Sequence, residues 1–229
     1  MHVLTSMIDL TDCQPFARGG NRDCYRHPNM PDRCLKIVRP EALAARRGRQ
    51  PLYKRWRSTH AIDDNQQEHG AYQQLLKDHP ENDALWHHLP RYYGQVTTSL
   101  GLANVCELIT GVDNTPAPTL EALIKAGPLT PAIMDAIQTF QQWLRQHQVL
   151  TRNLLPHNLV LGLRDQRLHL VLIDGLGAAW TQRGLTRLPG GRQRYIERRI
   201  IKMNRRLRWE QEGRPGHWEN AEQRPLPGE

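Results

Sequence analysis

The chain has 229 residues, 38% of them hydrophobic, and a mean hydropathy of −0.67. That length suits one large domain or two closely packed lobes, and no apolar stretch approaches the roughly 20 residues a bilayer span needs. The formal charge of +8 sits largely in two segments, 46–57 and 183–208, a clustering that admits anionic partners but also describes ordinary solvated basic faces.

In chain order, residues 16–25 read as strand, glycine turn and strand, with Gly19-Gly20 at the bend. A turn over 27–31 leads to a short strand over 33–38. The basic segment 46–57 precedes Asp63-Asp64, capping residues that open a helix running to Lys77. Strands are expected over 91–96 and 102–109, joined by a turn at 98–101. After Gly111 the character changes. Residues 113–118 form a connector containing proline, and 119–126 a short helix ended by Gly127-Pro128. Thr130-Pro131 starts a helix to about His147. Its Ile133, Ile137, Phe140 and Leu144 recur at three- and four-residue steps, which gives a buried stripe. A hairpin follows, with strands at 159–161 and 168–173 around a turn over 162–167. The last helix spans 193–209, with Ile196, Ile200, Met203 and Leu207 on one side. Residues 211–229 are polar and rich in Pro and Gly, the composition of a mobile tail. The expected architecture is α+β and bilobal: a β-rich N-lobe over 1–111, a small α-rich C-lobe over 112–209, a crevice between them, and a flexible tail over 210–229.

Cys13, Cys24, Cys34 and Cys106 show no paired metal-ligand spacing. Cys24 and Cys34 lie in strand-like runs, where small buried thiols are common. Reduced cysteines, with no basic n-region leading into an apolar core, predict a cytoplasmic protein.

Two segments carry most of the chemistry: Thr151-Arg152-Asn153-Leu154-Leu155-Pro156-His157-Asn158, and Leu172-Ile173-Asp174-Gly175. The hairpin delivers Asn158 and Asp174 at strand edges, where two oxygen donors could share one Mg2+. That is the layout of a protein-kinase catalytic loop followed by its metal-binding Asp. On this reading Gly19 and Gly20 let backbone approach phosphates, and Lys36 holds the α- and β-phosphates of ATP. Glu68 lies on the apolar face of its helix, one turn before Tyr72, and is the natural partner of Lys36. Glu107 falls where the chain crosses between lobes, where backbone groups can bond an adenine edge.

The stretches Gly19-Gly20-Asn21-Arg22-Asp23-Cys24-Tyr25-Arg26-His27-Pro28, Cys34-Leu35-Lys36-Ile37, Pro156-His157-Asn158 and Ile173-Asp174-Gly175 resemble the protein-kinase-like superfamily. More closely, they resemble the bacterial YrbL family, named for the PhoP regulatory network. The resemblance implies a kinase-like fold with ATP and Mg2+ as cofactors. It also exposes three departures. Against H-R-D-x-x-x-x-N this chain has Thr151, Arg152 and Asn153, so an amide stands at the position of the catalytic base. Leu155 stands where protein kinases usually place a phosphate-neutralising lysine. Little room remains after Asp174 for an activation segment. Loss of a general base typically costs about 10²- to 10⁴-fold in rate, while nucleotide and metal binding need not suffer.

Three functions follow from these residues. The first is a Mg-ATP-binding phosphotransferase acting on a small molecule, a saccharide or a protein, with Asn153, Lys36 and Asp174 in the catalytic region. The second is a pseudokinase that serves as an interaction module. The third, with least support, is a nucleic-acid or anionic-membrane binder using the basic helix near the C-terminus.

Overall fold

The computed structural model describes residues 7–48, 63–80, 82–178, 184, 186 and 188–223. Most of the basic segment 46–57, beyond Gly48, lies outside the described residues, as do Arg183 and Arg187. The architecture is α+β, in two compact units: Met1–Lys77 with Arg91–Leu108, and Asp78–Pro90 with Ile109–Glu229.

Alternating side chains build the first unit. Strands β1 (Ala17–Arg18), β2 (Arg22–His27), β3 (Met30–Val38), β4 (Tyr92–Thr98) and β5 (Gly101–Glu107) form an antiparallel sheet in the order β1-β2-β3-β5-β4. Tyr25, Leu35, Ile37, Ala103 and Val105 point to one face and pack around Leu10, as the two-residue period of a strand requires. Cys24, Cys34, Lys36, Asn104 and Cys106 take the opposite face. β3 starts at Met30, earlier than the expected 33, because the turn tightens to Pro28-Asn29. Helix α1 (Pro40–Gly48), absent from the sequence reading, covers the start of the first basic segment. Helix α2 (Asp64–Asp78) begins where Asp63 Oδ1 accepts from the backbone N–H groups of Asn65 and Gln66, at 2.8 and 3.2 Å. Its Glu68, Tyr72 and Leu75 are buried, and the Tyr72 ring stacks on Tyr92 with centroids 4.5 Å apart.

In the second unit, helices α3 (Leu120–Ala126) and α4 (Pro131–Gln146) are capped by Thr119 and Thr130. Strands β6 (Leu159–Arg164) and β7 (Arg167–Leu172) form a hairpin. The expected turn over 162–167 shrinks to Asp165-Gln166, both at positive φ (47° and 60°), the pair of left-handed residues that a two-residue hairpin loop needs. A lone hairpin is marginal in water, and both edges of this one are covered. On the β6 side, Leu161 N–H bonds Pro118 O at 3.0 Å and Leu163 N–H bonds Thr110 O at 3.1 Å. On the β7 side, Leu172 N–H bonds His88 O at 2.9 Å, and His88 Nδ1–H bonds Leu170 O at 2.8 Å. The His88 ring packs against Phe140 and Trp143 of α4, and burial drives its pKa down to about 4.

Helix α5 (Gly191–Gln211) buries Tyr195, Ile196, Ile200, Met203 and Leu207. Beyond it, the segment expected to be mobile holds helix α6 (Trp218–Glu222). Trp209 Nε1–H bonds Pro215 O at 3.1 Å, and the Arg206 guanidinium lies over the Trp209 and Trp218 rings at 4.4 and 4.9 Å. Arg214 bridges Glu210 and Glu121, each at 2.6 Å. Aromatic and ionic contacts of this kind hold a polar segment that lacks an apolar stripe.

Gly162 lies inside β6 and serves packing, since a Cβ there would overlap Ile109 Cγ2. Gly162→Ala is therefore expected to cost about 1–3 kcal/mol, read as a lowered midpoint in urea denaturation; an unchanged midpoint contradicts the close approach.

Candidate functional site

Lys36 belongs to β3, opposite Cys24 on β2 and Asn104 on β5. Strand alternation turns it away from the apolar face and toward α2, where Glu68 waits one turn before Tyr72. The Lys36 ammonium donates to Glu68 Oε1 at 2.7 Å, and both residues are buried, at 5% and 2% exposure. Glu68 also accepts from Arg22 Nη1 at 2.6 Å and from Asn104 Nδ2 at 3.0 Å. Asn65 ties the cluster to the sheet, donating to Lys36 O at 2.8 Å. One carboxylate thus holds two buried cations. Burial pushes the Glu68 pKa up, but the charges of Arg22 and Lys36, with hydrogen bonds from Lys36 and Asn104, outweigh it and hold the group at about 2. Burial also opposes the Lys36 charge, yet the electrostatic influence of Cys106 and Glu68 keeps its pKa well above the usual lysine range. The sequence reading missed Arg22, although it shares a strand face with Cys24 and could have been found by alternation. The same face carries Cys24, Cys34 and Cys106; a hydrogen bond with Cys34 lowers the Cys24 thiol to about 7.

Around the glycine turn, Arg39 Nη2 donates to Gly19 O at 2.9 Å and to Gly20 O at 2.6 Å. A Cβ at Gly20 would meet nothing within 4 Å, so neither packing nor backbone geometry demands glycine at that position. Glu107 ends β5. Its N–H bonds Arg91 O at 2.9 Å, and its carboxylate accepts from Arg91 N–H at 3.0 Å. The first unit ends one residue later, at Leu108.

In the second unit the loop before β6 and the turn after β7 are joined by backbone. Arg152 N–H bonds Gly175 O at 2.6 Å, and Gly177 N–H bonds Leu150 O at 2.8 Å. Gly175 has φ +87°, and a Cβ on it would stand 3.0 Å from Asn153 O; only glycine fits both limits. Asn153 N–H donates to Thr151 Oγ1 at 3.2 Å. Asn158 Nδ2 donates to Asn153 O at 3.4 Å, an orientation that leaves its amide oxygen to accept. Ile173 N–H bonds Asn158 O at 2.9 Å, which brings Asp174 to the same end of the hairpin. An amide oxygen and a carboxylate are hard donors that suit magnesium, which usually takes only one or two protein groups. Among the described residues, no cluster of three His, Cys, Asp or Glu could hold a metal ion.

The family model described as PhoP regulatory network protein YrbL matches residues 8–210, and so takes in both clusters. The chain belongs to the YrbL family. It is 27% identical over 178 residues to the YrbL proteins of Escherichia coli (strain K12) and Shigella flexneri, a match covering 75% of this chain and 74% of theirs. It is also similar to the crystal structure of a point mutant of the Mycobacterium tuberculosis PknI kinase domain, with 14% identity, a TM-score of 0.46, and coverage of 85% of this chain and 71% of that one. Within the matched YrbL region, no described helix is long and apolar enough to cross a membrane.

The Glu68 cluster makes a stability prediction with a defined sign. Its carboxyl titrates at about 2 in the folded protein against 4.5 ordinarily, so its contribution, about 3 kcal/mol, is complete above the ordinary value. It disappears as pH falls from there toward 2. Glu68→Gln is expected to lose roughly 3–5 kcal/mol at neutral pH, because two buried cations lose their counter-charge. The variant should also show a flatter stability profile across that acid window. Urea denaturation at several pH values measures both, and a variant as stable as wild type at pH 7 contradicts this account.

Proposed function

We propose that this YrbL-family protein is a kinase-like Mg-ATP-binding protein that acts as a phosphotransferase. The observation that carries the reading is the buried Lys36–Glu68 pair at 2.7 Å. A solvent-facing lysine needs no buried acid, whereas a lysine fixed by one is pre-set for a phosphate. On this reading Lys36 binds the α- and β-phosphates and Glu68 positions it. Asn158 and Asp174 offer oxygen donors to magnesium, which supplies charge neutralisation at the phosphates when bound. Gly19 and Gly20 admit phosphate oxygens close to backbone, and Glu107 marks where backbone meets the adenine edge. Phosphoryl transfer depends mainly on positioning and electrostatics, so the reading survives an amide at the base position.

A ligand that binds only the folded state stabilises it, by about 2.7 kcal/mol at a hundredfold excess over Kd. Saturating Mg-ATP is therefore expected to raise Tm by roughly 5–10 °C. Asp174→Asn should remove the magnesium-dependent part of that shift. No shift at 10 mM Mg-ATP overturns the proposal.

Asn153 favours a second reading, a pseudokinase, because its side-chain amide can orient a hydroxyl but cannot accept its proton. Asn153→Asp separates the two. For a pseudokinase, wild type shows no ATP turnover and the variant gains it; for a phosphotransferase, wild type turns over ATP and the variant rises by about 10²- to 10⁴-fold.

A further inference from the structure

Helix α5 carries eight basic residues and two acidic ones in its 21 positions. One flank of it lines two adjoining hollows, of about 490 and 540 Å³, which share Arg198 and Ile201. Arg194, Arg198, Ile201 and Arg205 follow one another at three- and four-residue steps, so they form a single stripe along this flank. Two carboxylates also face the hollows, and both are engaged. Glu197 makes a bidentate pair with Arg145 at 2.7 and 3.1 Å, and Glu222 pairs with Lys202 at 2.7 Å. Among the described residues neither Arg194 nor Arg198 has a carboxylate partner. The groove therefore keeps an excess of positive charge.

The shape selects among anions. Single-stranded nucleic acid needs exposed rings on which bases stack, and the one ring here, Tyr195, is 5% exposed beneath the Arg199 guanidinium. Anchoring on an anionic membrane needs a broad apolar face beside the charges, and the groove offers only Ile201. Each hollow has the size of a small-molecule site, and guanidinium groups match phosphate oxygens in pairs.

The groove also adjoins the loop that carries Asn153 and Asn158. Arg199 Nη2 donates to Tyr195 Oη at 3.1 Å, and Tyr195 O–H donates to the buried Thr151 C=O at 2.9 Å. One side chain separates the hollow from the first residue of that loop.

We propose that this groove binds the phosphate of a compact phosphorylated small molecule, of the sugar-phosphate class. Phosphate binding stands on the groove alone, independently of the nucleotide reading.

The test uses the full chain and isothermal titration in 150 mM salt with inorganic phosphate, glucose 6-phosphate, glucose, phosphatidylglycerol vesicles and a thymidine oligonucleotide. Both phosphates should bind and glucose should not. Arg194→Glu/Arg198→Glu, and the milder Arg198→Gln, should weaken phosphate binding, the double variant at least tenfold, while the Mg-ATP thermal shift is kept. Failure of both phosphates at 10 mM, equal binding by the double variant, or binding of only vesicles or only the oligonucleotide overturns the proposal. A missing Mg-ATP shift with phosphate binding intact overturns the nucleotide reading alone.

Discussion

A buried carboxylate in the first unit must be neutralised, and Glu68 meets that constraint by holding Lys36 and Arg22 together. Taking such a charge out of water costs several kcal/mol per ion unless partners and hydrogen bonds offset it. Here two cations and the Asn104 amide surround it. The consequence reaches through the whole unit. A one-residue slip of β3 would send Lys36 into the apolar layer around Leu10 and bring Leu35 to the carboxylate. Sheet register, the seat of α2 and the position of the Lys36 ammonium are thus set by one electrostatic requirement.

The second unit reaches its order by different means. Its loop and turn are joined chiefly by backbone hydrogen bonds, from Arg152 to Gly175 and from Ile173 to Asn158. Gly175 permits the approach because any side chain would press on Asn153. Backbone joining of this kind makes Asn158 and Asp174 positions of the fold, largely independent of the side chain at 153.

Helix α5 serves two purposes with two flanks. Its apolar stripe closes the core of the second unit, while its arginines are spent unequally. Arg206 lies over Trp209 and Trp218, Arg192 pairs with Asp78, and Arg194 and Arg198 face the open hollows. Net basicity spread evenly would describe solubility. Basicity left over on one stripe is the observation on which the proposed phosphate site rests.

The amino-acid sequence by itself determined where most elements lie, because their signals are local. Asp63, Thr119 and Thr130 cap helices within three residues, and the stripe of Ile133, Ile137, Phe140 and Leu144 repeats within a turn. The motifs around Lys36, Asn158 and Asp174 were legible for the same reason. Local signals misled where a residue serves a distant neighbour. Gly162 looked like a turn and is a packing glycine under Ile109; within the polar stretch after 209, Arg214, Pro215 and Trp218 are engaged by Glu121, Trp209 and Arg206. Only the tertiary structure decided that Arg22 joins Lys36 on Glu68, and that Arg194 and Arg198 keep an open face. Burial and charge neutralisation depend on which side chains meet across tens of residues, and such meetings leave no periodic trace in the chain.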